Sequence, residues 1–168
     1  MGEYASANHQ LIHEHIARHI GARVIAQVEN HHNFAWIEEH FGRKMVVHRK
    51  GATPASAGAL GVIPGSMATP AHVVVGLGEP ESLGSASHGA GRRMSRKAAL
   101  ARFSAEAAKR YLKGRGVSIL SAGLDELPMA YKNIEEVMAA QRTLVRTIAT
   151  FMPRLVKMAD SGRSGFQF

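Results

Sequence analysis

The stretch GALGVIPGSMATPAHVVVGLG, Gly58 to Gly78, sets two β-rich runs on either side of a Pro64-Gly65 pair and Pro70. A Pro-Gly pair ends any helix, and the valines beyond it favour a pleated chain, so the stretch reads as strand, turn, strand. Upstream, KMVVHRKGATPA predicts a short strand over Met45 to His48 that runs into a Lys50-Gly51 turn. Helical patterns flank this block. From Tyr4 to Ile20 the apolar residues Leu11, Ile12, Ile16 and Ile20 recur at helical spacing, and Gly21 stops the run. A helix is predicted from Ser95, with a break near Ser104 that caps a second helix ending at Gly114, followed by a strand at Val117 to Leu120. KNIEEVMAAQRTLVRTIATFM, residues 132–152, gives the strongest helical pattern, with Ile134, Val137, Met138, Leu144, Val145 and Ile148 on one stripe. Its acids Glu135 and Glu136 come early and Arg142 and Arg146 late, as the helix dipole favours. The class expected is α+β in a single domain, with turns at SAGLDELP and a frayed tail over residues 159–168.

A chain of 168 residues, 45% of them hydrophobic, suffices for one ordinary core. The formal charge of +8 points to a polyanionic partner such as nucleic acid or a nucleotide. Nine basic residues between Arg92 and Arg115 face a single acid, Glu106, and mark the basic flank. Without cysteine there is neither a disulfide nor a thiolate metal site, so a metal would rest on His, Asp or Glu. The first twenty residues carry His and Glu throughout and match neither a secretory signal nor a membrane span; a cytoplasmic protein without membrane attachment is expected.

SASHGAGRRMSR, Ser85 to Arg96, sets a lone imidazole, His88, before two glycines and two spaced arginines. Gly89 and Gly91 let backbone N–H groups approach an anion closely. Arg92 and Arg96 are four apart and would share a face at a helix start, where phosphate is also favoured. A neutral imidazole can attack phosphorus and form a phosphoramidate, provided cations offset the phosphate charge. The competing reading makes His88 a capping or buried hydrogen-bonding residue and the arginines a solvated face. His31 and His32 are adjacent, so at most one of them enters a site. Ser66 follows the Pro-Gly turn and offers a hydroxyl, as many such turns do. His9 with His13, and His15 with His19, are spaced to share a helical face, yet no HExxH pattern accompanies them, and they read as a solvated face.

Five segments in order, NHHNFA, VHRKGATPA, GVIPGSM, SHGAGRRMSR and DELPMAYKNIEEVM, resemble the C-terminal half of the RtcB family of RNA-splicing ligases. The resemblance implies GTP- and Mn²⁺-dependent joining of an RNA 3′-phosphate or 2′,3′-cyclic phosphate end to a 5′-hydroxyl end, through a covalent histidine–GMP intermediate. It implies that His88 is the nucleophile, that His32 is a manganese ligand beside the nucleotide, and that Asn33 lies near it. Pro64, Gly65, Ser66 and Met67, with His88, Gly89, Ala90 and Gly91, would bind guanylate. Tyr131 would line the nucleotide pocket and Lys157 would contact the guanine. Lys50, Arg92 and Arg96 would meet RNA or triphosphate oxygens.

The departures carry consequences of their own. Ala68 stands where the family usually has glycine, and Ala71 where some members have serine. Family members are more than twice as long, and their N-terminal half supplies an Asp, a Cys and two His to the metal site; those motifs are absent here. One imidazole does not hold a metal that needs several ligands. The expectation is therefore a partial, C-terminal RtcB-like fold that is a poor ligase alone, either because the sequence is partial or because a partner chain supplies the missing ligands. The alternatives are a non-catalytic RNA- or nucleotide-binding fragment and a subunit of a split ligase. A histidine phosphoesterase fits less well, for want of a carboxylate-rich metal motif.

Overall fold

The computed structural model describes residues 2–158 and the short strand at 165–166. Helix α1 (Gly2–His19) buries none of its residues and is tied down where Ser6 and His9 reach Glu29. Strands β1 (Asn33–His40) and β2 (Arg43–Lys50) form an antiparallel hairpin in register from Asn33 opposite Lys50 to His40 opposite Arg43. Its turn residues Phe41 and Gly42 both have positive φ, 53° and 70°, the geometry that matches strand twist in a two-residue turn. Sequence patterning reached only the middle of β2 and missed β1, because Phe41 sits where Asn or Asp would have signalled the turn.

Strand β3 (Ala52–Pro54) pairs with β6 (Ser85–Ser87), while β4 (Leu60–Pro64) and β5 (Ala71–Gly76) form the expected strand, turn, strand. Helices α2 (Arg96–Arg102) and α3 (Ala105–Gly114) are capped by Ser95 and Ser104, whose side chains accept from the backbone N–H groups of Ala98 and Ala107. Strand β7 (Ser118–Gly123) pairs in parallel with β9 (Leu155–Lys157) and antiparallel with β10 (Gly165–Phe166). The expected frayed tail, 159–168, otherwise lies outside the described residues.

Two expectations fail. The predicted helix over 132–152 survives only as α4 (Ile134–Ala140); residues 145–151 form strand β8 (Val145–Phe151), which pairs with β5. Val145, Thr147, Ile148 and Thr150 are β-branched and suit a pleated surface once a neighbouring strand is present, and β5 supplies it. Arg92 also precedes α2, whose cap is Ser95, so Arg92 and Arg96 do not share a helical face.

Two apolar clusters hold the chain together. One gathers Met67, Ala68, Leu112, Val117, Ile119 and Leu127 between α3 and β7; the other gathers Ala55, Ile63, Val74, Ala86, Ile134 and Val145 on the β4–β5–β8 sheet. Residues 64–67 pass from one cluster to the other, since Ile63 belongs to the second and Met67 to the first. The Pro64-Gly65 turn therefore lies at the seam. Gly65 is required there, because a Cβ would fall 2.6 Å from the carbonyl oxygen of Pro70.

Candidate functional site

The seam opens into a cavity of about 580 Å³ lined by Pro64 to Met67, His88 to Arg92, Arg96, Glu126 and Tyr131, with Pro153, Val156 and Met158 closing one side. Local backbone contacts weld its two loops together. The N–H of Ala90 donates to the carbonyl of Pro64 at 3.0 Å, and a Cβ on Gly89 would sit 3.1 Å from that same oxygen. Glycine at 89 is what permits the approach.

His88 is partly exposed at the cavity edge, and its Nδ1 lies 2.7 Å from the carbonyl oxygen of Gly51. A carbonyl only accepts, so Nδ1 carries the proton in the neutral ring and Nε2 keeps its lone pair. Gly51 ends the β2 hairpin at φ 76°, and its own N–H donates to the carbonyl of His32 at 3.0 Å. The His32 and His88 rings stack, with centroids 5.2 Å apart and planes at 17°. Asn30 fixes the approach of this segment: its amide donates to Thr53 at 2.7 Å and its carbonyl accepts from the N–H of Val62 at 2.9 Å. Because a side chain at φ 76° is strained, Gly51→Ala is expected to cost about 1–2 kcal/mol, read from urea denaturation midpoints.

The opposite wall is an arginine, carboxylate and tyrosine network. Arg92 donates to the carbonyls of Met94 and Asp125, to Glu126 and to the hydroxyl of Tyr131, and lies 5.2 Å from the Tyr131 ring centre. Tyr131 donates its hydroxyl proton to Glu126. Burial, and then this bond, push its phenol up to about 12, so it is a neutral donor at physiological pH. Arg96 pairs with Asp125 at 2.6 Å and with Glu126 at 2.5 Å. Asp125 first, and then Glu126, raise its guanidinium above the ordinary value. Sequence reading missed Asp125 and Glu126, because SAGLDELP carries only a turn signature; both acids lie about thirty residues from the arginines they meet.

Other expected residues fall elsewhere. Asn33, Lys50 and Lys157 are exposed and do not line this cavity; the neighbours of Lys157, Val156 on β9 and Met158 just beyond it, line it instead. Ala68 is fully buried in the first cluster. Ser66 spends its hydroxyl on Thr69 at 2.8 Å. A second hollow of about 390 Å³ adjoins the first, and there His9 and His13 of α1 stand with Glu29, His32 and His88. Among the described residues no three or more His, Asp or Glu groups are placed to hold a metal ion, so His32 does not make a manganese site with the residues present. No described helix is long and apolar enough to cross a membrane.

The family model described as "tRNA-splicing ligase RtcB" matches residues 2–158. The chain belongs to the RtcB family. It is 48% identical over 124 residues to the RNA-splicing ligase RtcB of Escherichia coli K12, across 74% of this chain and 30% of that protein. To the RNA-splicing ligase RtcB of Mycobacterium bovis it is 34% identical, across 89% of this chain and 41% of that protein. The tRNA-splicing ligase RtcB of Pyrococcus abyssi matches at 34% identity, across 73% of this chain and 16% of that protein. This chain thus spans less than half the length of each of these relatives.

Proposed function

We propose that this chain is the nucleotide-carrying portion of an RtcB-type RNA ligase. The observation that carries the reading is the 2.7 Å contact between His88 Nδ1 and the Gly51 carbonyl, which leaves Nε2 as the free lone pair at the edge of a cavity flanked by arginines. Nε2 attacks the α-phosphorus of GTP, the phosphoramidate N–P bond forms, and pyrophosphate leaves. An RNA 3′-phosphate has no leaving group of its own; guanylate passed to it from His88 provides one, and the 5′-hydroxyl of the second RNA then displaces GMP. Gly91, with no atom within 4 Å of where a Cβ would stand, leaves room for the nucleotide beside the backbone, and the neutral Tyr131 offers a fixed polar edge.

The α3 side of the basic flank fits the RNA backbone. Lys109, Arg110 and Lys113 line a separate hollow of about 570 Å³ floored by Val117 and Ile119. Manganese is a different matter. With His32 as the sole matching ligand, the residues present do not make its site, and the chemistry a metal would supply depends on an Asp, a Cys and further His from outside this sequence.

The test is a joining assay with a 3′-phosphate RNA, a 5′-hydroxyl RNA, GTP and Mn²⁺. The 168-residue chain alone is expected to give no ligated product, and a polypeptide bearing the missing ligands is expected to restore it. Robust Mn²⁺-dependent joining by the chain alone would overturn the incomplete-site reading and direct attention to His9 and His13.

A further inference from the structure

The cavity that should receive phosphate is, in its present arrangement, electrically balanced. Arg92 and Arg96 supply two positive charges to the wall, and Asp125 and Glu126 cancel them. These four groups are not equivalent. Asp125 and Glu126 are 9% and 16% exposed at their side chains, and the Asp125 carbonyl is pinned by Arg92, itself 23% exposed with bonds to four partners. Arg96 is 67% exposed and has only its Nη1 engaged by the carboxylates. The carboxylates are the fixed part, and Arg96 is the part free to move.

We propose that Asp125 and Glu126 form a carboxylate latch that holds Arg96 until a dianionic terminal phosphate displaces them as its partner. The inference rests on the reading of this cavity as a phosphate-handling site, and it adds how that site discriminates. A planar guanidinium binds a carboxylate and a phosphate through the same paired N–H donors, so the exchange needs no new geometry from Arg96. An exchange of one carboxylate for one monoanion gains little, because the remaining acids repel the newcomer. A dianion offers Arg96 twice the charge of either carboxylate, so Arg96 gains by exchanging one for the other. The latch therefore keeps an arginine from capturing small monoanions in the empty cavity while leaving it ready for the end of an RNA 3′-phosphate. Arg92 keeps Glu126 and Tyr131 in place throughout, since its donors are already spent on them.

The experiment titrates the 168-residue chain with inorganic phosphate at pH 8, following the Arg96 guanidinium N–H by ¹⁵N-arginine NMR and affinity by calorimetry. Glu126→Gln keeps the shape and removes one competing charge. It should tighten phosphate binding by about fivefold, the scale of one solvent-accessible ion pair. Asp125→Asn should act in the same direction, and it serves as the second variant should Glu126→Gln unfold. Arg96→Ala should abolish the binding, and nitrate should not bind the unaltered chain. A carboxylate with a purely structural role predicts the opposite sign. Unchanged or weakened phosphate affinity in folded Glu126→Gln and Asp125→Asn, or phosphate binding that survives Arg96→Ala, would overturn the latch. Guanylylation of His88 is read in a separate assay, so loss of the adduct with phosphate exchange intact would sink the ligase reading and leave the latch standing.

Discussion

Replacing His88 by alanine is expected to abolish the guanylate adduct entirely. With labelled GTP, Mn²⁺ and the missing metal ligands supplied by a second polypeptide, the unaltered chain should carry label that acid releases, as a phosphoramidate does, and His88→Ala should carry none. The expectation follows from the atom left over. Gly51 occupies Nδ1 at 2.7 Å, and Nε2 is the lone pair at the cavity edge, so removal of the ring removes the proposed nucleophile and not merely a contact. His32→Ala separates two roles. If His32 serves the metal and only stacks on His88, its loss should lower the rate of labelling without changing where the label sits. Label that persists in His88→Ala would move the nucleophile elsewhere.

The second large effect lies in the scaffold. Arg49 is 2% exposed and meets Glu38 through two hydrogen bonds, at 2.7 and 2.8 Å. It also reaches Ser85 at 2.8 Å and the Leu83 carbonyl at 2.8 Å, and lies 5.0 Å from the Trp36 ring centre. One buried guanidinium thus ties the β1–β2 hairpin to the segment that leads through β6 to His88. Glu38→Ala leaves that charge buried without its carboxylate and should cost about 3 kcal/mol, the lower end for a broken buried pair because Glu38 keeps some solvent contact. Arg49→Met, which removes the charge and keeps much of the volume, should cost less. The Arg49 hydrogen bond holds the Glu38 carboxyl below its ordinary value despite burial. A depressed carboxylate stabilises the fold above its unfolded value and loses that contribution as pH falls through the folded one. Urea denaturation at pH 7 and below pH 4 should show the gap between the unaltered chain and Glu38→Ala narrowing in acid. A gap that stays constant would exclude the Glu38 charge as its source.

Much of the architecture was legible residue by residue. The β4–β5 pair followed from Pro64-Gly65, α2 and α3 from the capping serines 95 and 104, and the end of α3 from Gly114. Each of those signals acts within a few residues, through fixed φ, a missing N–H or a side-chain oxygen on a nearby backbone group. The SHGAGRRMSR and GVIPGSM segments were paired in the sequence only through the family resemblance, and the structure adds the close approach of Gly89 to Pro64 that joins them. The stripe from Ile134 to Ile148 misled because helical periodicity and β-branched content coexist there, and only the presence of β5 decides between them.

By itself, then, the sequence determined the α+β class and, through five ordered segments, the family, because these depend on residue types and short-range order; the resemblance in turn named His88 as the nucleophile candidate. Tertiary structure alone decided that residues 145–151 are a strand, that Lys157 turns away from the cavity, and that Arg92 and Arg96 face Asp125 and Glu126. Those outcomes depend on partners about thirty to eighty residues away in the chain. A guanidinium or a β-branched run is compatible with many partners, and only the folded chain selects which one it meets.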